Sequence, residues 1–161
     1  MAVTSAGILL YRVSPDGGVS ALVAHMGGPF WAAKDDGAWS IPKGEYDEDA
    51  ESALDAAKRE FHEELGVAAP DGDYAELGTF AYSSGKRVTV FVCDGGSFEA
   101  SGDDFDFGEF EMEWPPRSGR TQSFPEVDRA EWMPLDEART RLVKGQRPAL
   151  DKLAELLSDV R

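Results

Sequence analysis

A single α/β domain over residues 1–161 is predicted by three features: β-rich runs, amphipathic helical segments set between them, and a length suited to one core. The composition, 42% hydrophobic and 11% aromatic, is that of a folded globular protein. No internal repeat or low-complexity segment divides the chain.

The elements follow in order. SAGILLYRV (5–13) is β-rich, SPDGG (14–18) is turn chemistry, and VSALVAH (19–25) reads as the returning strand of a hairpin. The loop GGPFWAAKDDGA precedes a short apolar strand, WSIP (39–42), which Pro42 ends, with Gly44 permitting a tight turn. The spacing of Leu54, Ala57, Phe61 and Leu65 predicts a helix from about Ala50 to Leu65, closed by Gly66. ELGTFAYS and RVTVFVC flank SSGK and predict a second hairpin. Residues 94–125, rich in Gly, Pro and acids, read as a long loop with a short edge strand around Phe107 to Trp114. VDRAEWMPL is strand-like, and LDEARTRLV and PALDKLAELL are predicted helices.

Charge narrows the function. Thirty-one acids against 16 bases give a formal charge of −15, a surface that repels nucleic-acid backbone and anionic membrane. A small anionic substrate is compatible with that field where a metal ion and a few local bases override it. The single cysteine, Cys93, lies in the apolar run VTVFVC and is expected on a buried strand, which leaves no intrachain disulfide and no thiolate zinc cluster. The first residues lack a basic segment followed by a cleavage site, and no apolar run approaches membrane-spanning length; a cytoplasmic protein is expected.

One stretch runs against the general aversion of like charges. In KREFHEELG (58–66), Glu60, Glu63 and Glu64 are related by i+3 and i+4, so they share one face of the helix. Leu54, Phe61 and Leu65 take the opposite side. A charged helix face is ordinarily just a solvated one. Oxygen ligands without cysteine also suit a hard cation, Mg²⁺ or Mn²⁺, which keeps several waters and is completed by substrate phosphates.

Gly44, Glu51, Arg59-Glu60-Phe61, Glu63-Glu64 and Gly66-Val67 resemble the Nudix box, G-x5-E-x7-R-E-U-x-E-E-x-G-U, where U is a bulky apolar residue. From Glu51 to Val67 every specified position matches. One departure lies upstream: six residues, not five, separate Gly44 from Glu51. The insertion falls in EYDEDA, ahead of the helix, and leaves Glu48 and Glu51 as alternatives for one role. SAGILLYR, GGPFWAAKDDGAWSIPKGE, EWPPRSGR and FPEVDRAEWMPLDEA extend the resemblance, to a bacterial subgroup described as predicted nucleoside triphosphate pyrophosphohydrolases.

The resemblance implies an α/β/α sandwich with a mixed sheet between helices, and metal-dependent hydrolysis of a nucleoside diphosphate linked to another moiety. It implies Glu60 and Glu64 as direct metal ligands and Glu63 as holder of a second metal or a metal-bound water. The backbone carbonyl of Lys43 is implied as a further ligand, and Arg59 as the group that orients the carboxylates. Glu126 is the best match for an acid from a later loop; Glu60, Glu63 and Glu126 all remain candidates for the general base. Lys43, Lys86, Arg117 and Arg120 are candidate phosphate contacts. Phe30, Trp31, Tyr82 and Trp114 are candidates to stack on a nucleobase, each equally suited to packing on the sheet. His25 and His62 receive no role. Expected partners are a small-molecule nucleotide, no nucleic acid and no membrane, with the protein a monomer or homodimer.

PKG at residues 42–44 also resembles enzymes that cleave diadenosine polyphosphates or diphosphoinositol polyphosphates, and a chain of charge −15 suits the latter poorly. A different class is a Nudix module that senses a nucleotide without hydrolysing it. Such a module is expected to lose box acids, and this chain keeps them.

Overall fold

A computed structural model describes residues 4–96, 98–100 and 102–159. In chain order the strands are β1 (Thr4–Val13), β2 (Val19–Met26), β3 (Trp39–Ser40) and β4 (Lys43–Glu45), followed by helix α1 (Ala53–Leu65). Then come β5 (Ala75–Ala81), β6 (Arg87–Asp94), β7 (Glu109–Glu113), β8 (Thr121–Pro125) and β9 (Val127–Pro134). Helices α2 (Leu135–Arg141) and α3 (Arg147–Asp159) end the chain, joined by a single 3₁₀ turn at Lys144–Gln146.

Seven strands form one mixed sheet in the order β3-β2-β1-β6-β5, with β4 added to β1 and β9 to β2. β1 and β6 are parallel, and the other pairs are antiparallel. β1 is buried on both faces, which explains its unbroken apolar run. Ala6, Ile8 and Leu10 pack with Phe61 and Leu65 of α1, while Leu9 packs on the other side with Leu142, Leu150 and Leu153. The sheet therefore lies between α1 and the α2/α3 pair, an α/β/α sandwich. Cys93 is buried in β6, as its apolar neighbours predict. Among the described residues no helix is long and apolar enough to cross a membrane.

α1 starts at Ala53, three residues later than its apolar pattern predicts, because Asp47–Ala50 closes a turn of its own. Ser52 caps the helix by accepting the Asp55 N–H at 3.2 Å, a contact worth about 1 kcal/mol. Gly66 ends it in the left-handed region at φ 74°, where a glycine carries no Cβ penalty. Phe61 and Leu65 are fully buried, each contributing about 1.5–3 kcal/mol by leaving water.

Two sequence expectations change. Residues 94–125 hold a hairpin, β7–β8, where one edge strand is predicted. Pro115, Pro116 and Gly119 lie at its tip, while Phe110 and Phe124 pair across it at 6.1 Å. Gly44 lies within strand β4 and not in a turn. Its constraint is steric: a Cβ there would sit 1.9 Å from Glu60 Oε2.

The loop at residues 27–38 is held by a buried histidine. His25 Nε2–H donates to the Lys34 carbonyl at 2.7 Å, and Nδ1 lies 2.7 Å from Asp128 Oδ1. The same ring meets Trp39 edge-on at 5.1 Å.

Candidate active site

α1 and β4 meet at the rim of the sheet and form an acidic cleft of about 470 Å³. Glu60, Glu63 and Glu64 enter from the helix, Glu45 and Lys43 from β4, and Glu126 from the link between β8 and β9. Five carboxylates thus converge with one lysine. Glu45 and Glu126 come from outside the helix, and only the fold brings them to it.

The three helix acids are not equivalent. Glu63 is 58% exposed, whereas Glu60 is 14% exposed and wedged beside Gly44. Glu64 is also partly buried, and its Oε2 accepts the Lys43 N–H at 3.2 Å. Burial pushes the Glu64 carboxyl up to about 8, opposed by the charge and N–H of Lys43 and reinforced by Glu126 and Glu60. Glu60 shifts in the same direction, again chiefly through burial.

Arg59 organises the outer side of this cluster. Its Nε donates to both oxygens of Glu51 at 3.1 Å, while Nη1 reaches Glu60 at 2.8 Å and Glu63 at 3.1 Å. Those bonds, Glu51's foremost, hold the guanidinium firmly charged and draw the Glu51 carboxyl below its ordinary range. Glu51, not Glu48, is therefore the partner of Arg59; Glu48 is exposed in the inserted turn. The extra residue is absorbed before the helix begins, so the register of the acids survives it.

The donor set fits a hard divalent cation. Glu60, Glu64 and Glu126 repel one another across the cleft, and Arg59 is engaged with Glu51, Glu60 and Glu63. Among the described residues no group of three or more His, Cys, Asp or Glu side chains is placed to hold a metal ion by itself, so a cation here would draw on water and phosphate as well. An open oxygen-lined cleft of this kind leaves coordination positions for water and phosphate.

A second compartment, about 520 Å³, adjoins the first and shares Met26, Ser40 and Lys43 with it. Tyr82, Lys144, Gly145 and Gln146 form much of its wall. Gln146 is fully buried: its Oε1 accepts the Ile41 N–H at 2.7 Å, and Nε2 donates to Ser40 Oγ at 2.9 Å and Tyr82 Oη at 2.7 Å. Nothing local in LVKGQRP marks this residue, since its partners lie 64 and 105–106 positions away.

The remaining candidates lie elsewhere. Trp31 packs partly buried against the core beneath α2 and α3, with Lys34 Nζ 5.3 Å from its ring centre. Arg117 and Arg120 stand exposed at the tip of the β7–β8 hairpin, and neither lines the two compartments. Phe30 and Trp114 meet edge-on at 5.7 Å beside that tip, and Lys86 is exposed on the β5–β6 turn.

The NUDIX domain family matches residues 3–153. The chain belongs to that family. As a Nudix protein it keeps every acid of the family's box. Among solved structures it resembles a C. elegans Ap4A hydrolase complex at TM-score 0.66, with 21% identity over 96% of this chain and 98% of that one. It also resembles the NUDIX domain of Shewanella oneidensis NrtR bound to ADP ribose, at TM-score 0.61 and 15% identity over 98% and 89% of the two chains. At these identities the likeness is one of fold. An uncharacterized 17.7 kDa protein of Enterobacteria phage T4 is 48% identical over 54 residues, spanning 33% of this Nudix chain and 36% of the phage protein.

Proposed function

We propose that this Nudix protein hydrolyses a phosphoanhydride bond in a nucleoside polyphosphate, with Mg²⁺ or Mn²⁺ held by Glu60 and Glu64. Family members generally use divalent metals, and the observation that carries the assignment here is the convergence of Glu60, Glu64 and Glu126, where among the described residues no arginine or histidine is committed to neutralising Glu64. The Lys43 carbonyl and Glu63 complete the proposed donor set. A bound cation would supply charge neutralisation on the non-bridging phosphate oxygens.

The chain's own groups then divide the work. Lys43, shared by both compartments, holds the phosphates that pass between them. Arg59 keeps Glu60 and Glu63 in place through its fork and leaves Glu64 to the cleft. Water attacks phosphorus while a cleft carboxylate takes its proton, and the phosphate leaving group departs with the electron pair of the broken P–O bond. Glu126 suits the proton-accepting role, being exposed in the cleft and outside Arg59's hydrogen bonds. The base occupies the Tyr82 compartment. Of the aromatic candidates, Tyr82 is the one that lines a cavity continuous with the acids.

The fold likeness to an Ap4A hydrolase supports a dinucleoside polyphosphate as the second substrate class, its far nucleoside lying beyond the acidic cleft. Release of phosphate and pyrophosphate measured across nucleoside triphosphates, nucleoside diphosphate conjugates and dinucleoside polyphosphates separates the two. Inactivity on all of them with both Mg²⁺ and Mn²⁺ would leave a nucleotide-sensing module; a NUDIX domain of this fold is seen in complex with ADP ribose.

A further inference from the structure

The Gln146 network has a chemical polarity that its distances determine. The Ile41 N–H can only donate, so Oε1 of the amide must face it, and Nε2 must face Ser40 and Tyr82. Ser40 uses its own proton on the Ile41 carbonyl at 2.8 Å, so Ser40 Oγ accepts from Nε2. Tyr82 Oη takes the other amide hydrogen at 2.7 Å. The phenol is thereby made an acceptor toward the protein, and among the described residues it donates to none. Its proton is left for the compartment side. The ring has little freedom to turn away, because Gly145 packs on it so closely that a Cβ there would lie 2.2 Å from Tyr82 Cδ1.

We propose that Gln146 is a positioning residue that sets the Tyr82 hydroxyl as a hydrogen-bond donor into the 520 Å³ compartment, selecting ligands whose planar ring carries an acceptor at its edge. Stacking alone is tolerant of ring identity, whereas an oriented donor discriminates, because a ring without the acceptor leaves a desolvated hydroxyl unpaired. The inference rests on the nucleotide assignment above and adds how the ring is chosen. Gln146 touches neither phosphate nor ring; it acts through Tyr82.

The test uses AMP and, as a ring-free control, ribose 5-phosphate, titrated by NMR in EDTA so that binding is read without turnover. Wild type should bind AMP more tightly than ribose 5-phosphate. Tyr82→Phe keeps the ring and should weaken AMP about fivefold, the worth of one neutral hydrogen bond, while leaving ribose 5-phosphate unchanged. Gln146→Glu keeps the acceptor for Ile41 but replaces the amide donor, so the phenol turns its proton inward; AMP should weaken to a similar degree. The decisive readout is the cycle: in the Tyr82→Phe background, Gln146→Glu should add little further loss. Effects that multiply would mean that Gln146 acts independently of the hydroxyl, and the proposal falls. It falls equally if Tyr82→Phe binds AMP as wild type does, a result that stands even where Gln146→Glu fails to fold. Phosphate release by the wild type reports separately on the hydrolase assignment, so either can fail alone.

Discussion

The two compartments that meet at Lys43 are built on opposite principles. The acidic cleft takes three of its five carboxylates from one helix, and their spacing is local. The Tyr82 compartment takes its wall from a strand end, a hairpin turn and a 3₁₀ turn, joined by one buried amide. The first is strained by its own charge and calls for a ligand to relieve it. In the second, the buried Gln146 amide is satisfied by protein partners alone, and the Tyr82 proton is left for a ligand. Neutralisation of charge suits the reacting phosphates, and a rigid satisfied wall suits recognition of a neutral ring.

Substitutions sharpen the contrast. The largest effect is expected of Glu64→Gln, which should lower turnover about 10²–10³-fold while the melting temperature of the metal-free protein holds or rises, since the amide keeps the acceptor for the Lys43 N–H and cannot ionise among like charges. Unchanged phosphate release would mean that the metal end is misplaced. Gly44→Ala drives a methyl group into the Glu60 carboxylate, and a loss of about 1–3 kcal/mol in denaturant unfolding is expected together with a fall in turnover. Full activity there would show that Glu60 can move without consequence.

Glu51→Ala should free Arg59 and reduce turnover about tenfold, whereas Glu48→Ala should leave it alone. Equal effects would break the assignment of the box glutamate.

Smaller still is the pH response of the metal-free protein. Glu64 keeps its proton in the folded state up to about 8, and Glu60 shifts the same way, against about 4.3 for an unfolded glutamate. The native state therefore holds more protons than the unfolded one across that window, so stability declines as pH rises through it. Thermal melts in EDTA should fall between pH ~5 and ~8, and Mg²⁺ should flatten the decline. Melts that rise with pH, with no Mg²⁺ effect, would contradict the burial of Glu64. Least of all, Arg117→Ala and Arg120→Ala should change KM by less than about twofold, since exposed tip cations contribute little. A large rise in KM would mean that the β7–β8 hairpin closes over the substrate.

What could be read in advance follows the same division. β1, β2, α1 and the β5–β6 hairpin were legible because each carries its own period and its own stop: the apolar run of β1, the turn at residues 14–18, Phe61 and Leu65 one turn apart, Gly66 behind them. β8 was not legible, since TQSFP is too short and too exposed to show an alternation, and its existence depends on pairing with β7. Gly44 resembled a turn residue because the carboxylate that excludes its Cβ lies sixteen positions away, on another element.

By itself the sequence determined the acidic helix face, because i+3 and i+4 neighbours share a face wherever a helix forms, and that helix carries its own cap, stripe and stop. Tertiary structure alone decided that Glu64 is partly buried and Glu63 exposed, that Glu51 outcompetes Glu48 for Arg59, and that Glu126 joins the helix acids. It alone brought Gln146 to Tyr82. Burial and long-range hydrogen bonds depend on what packs from elsewhere in the chain, and local spacing carries no record of that.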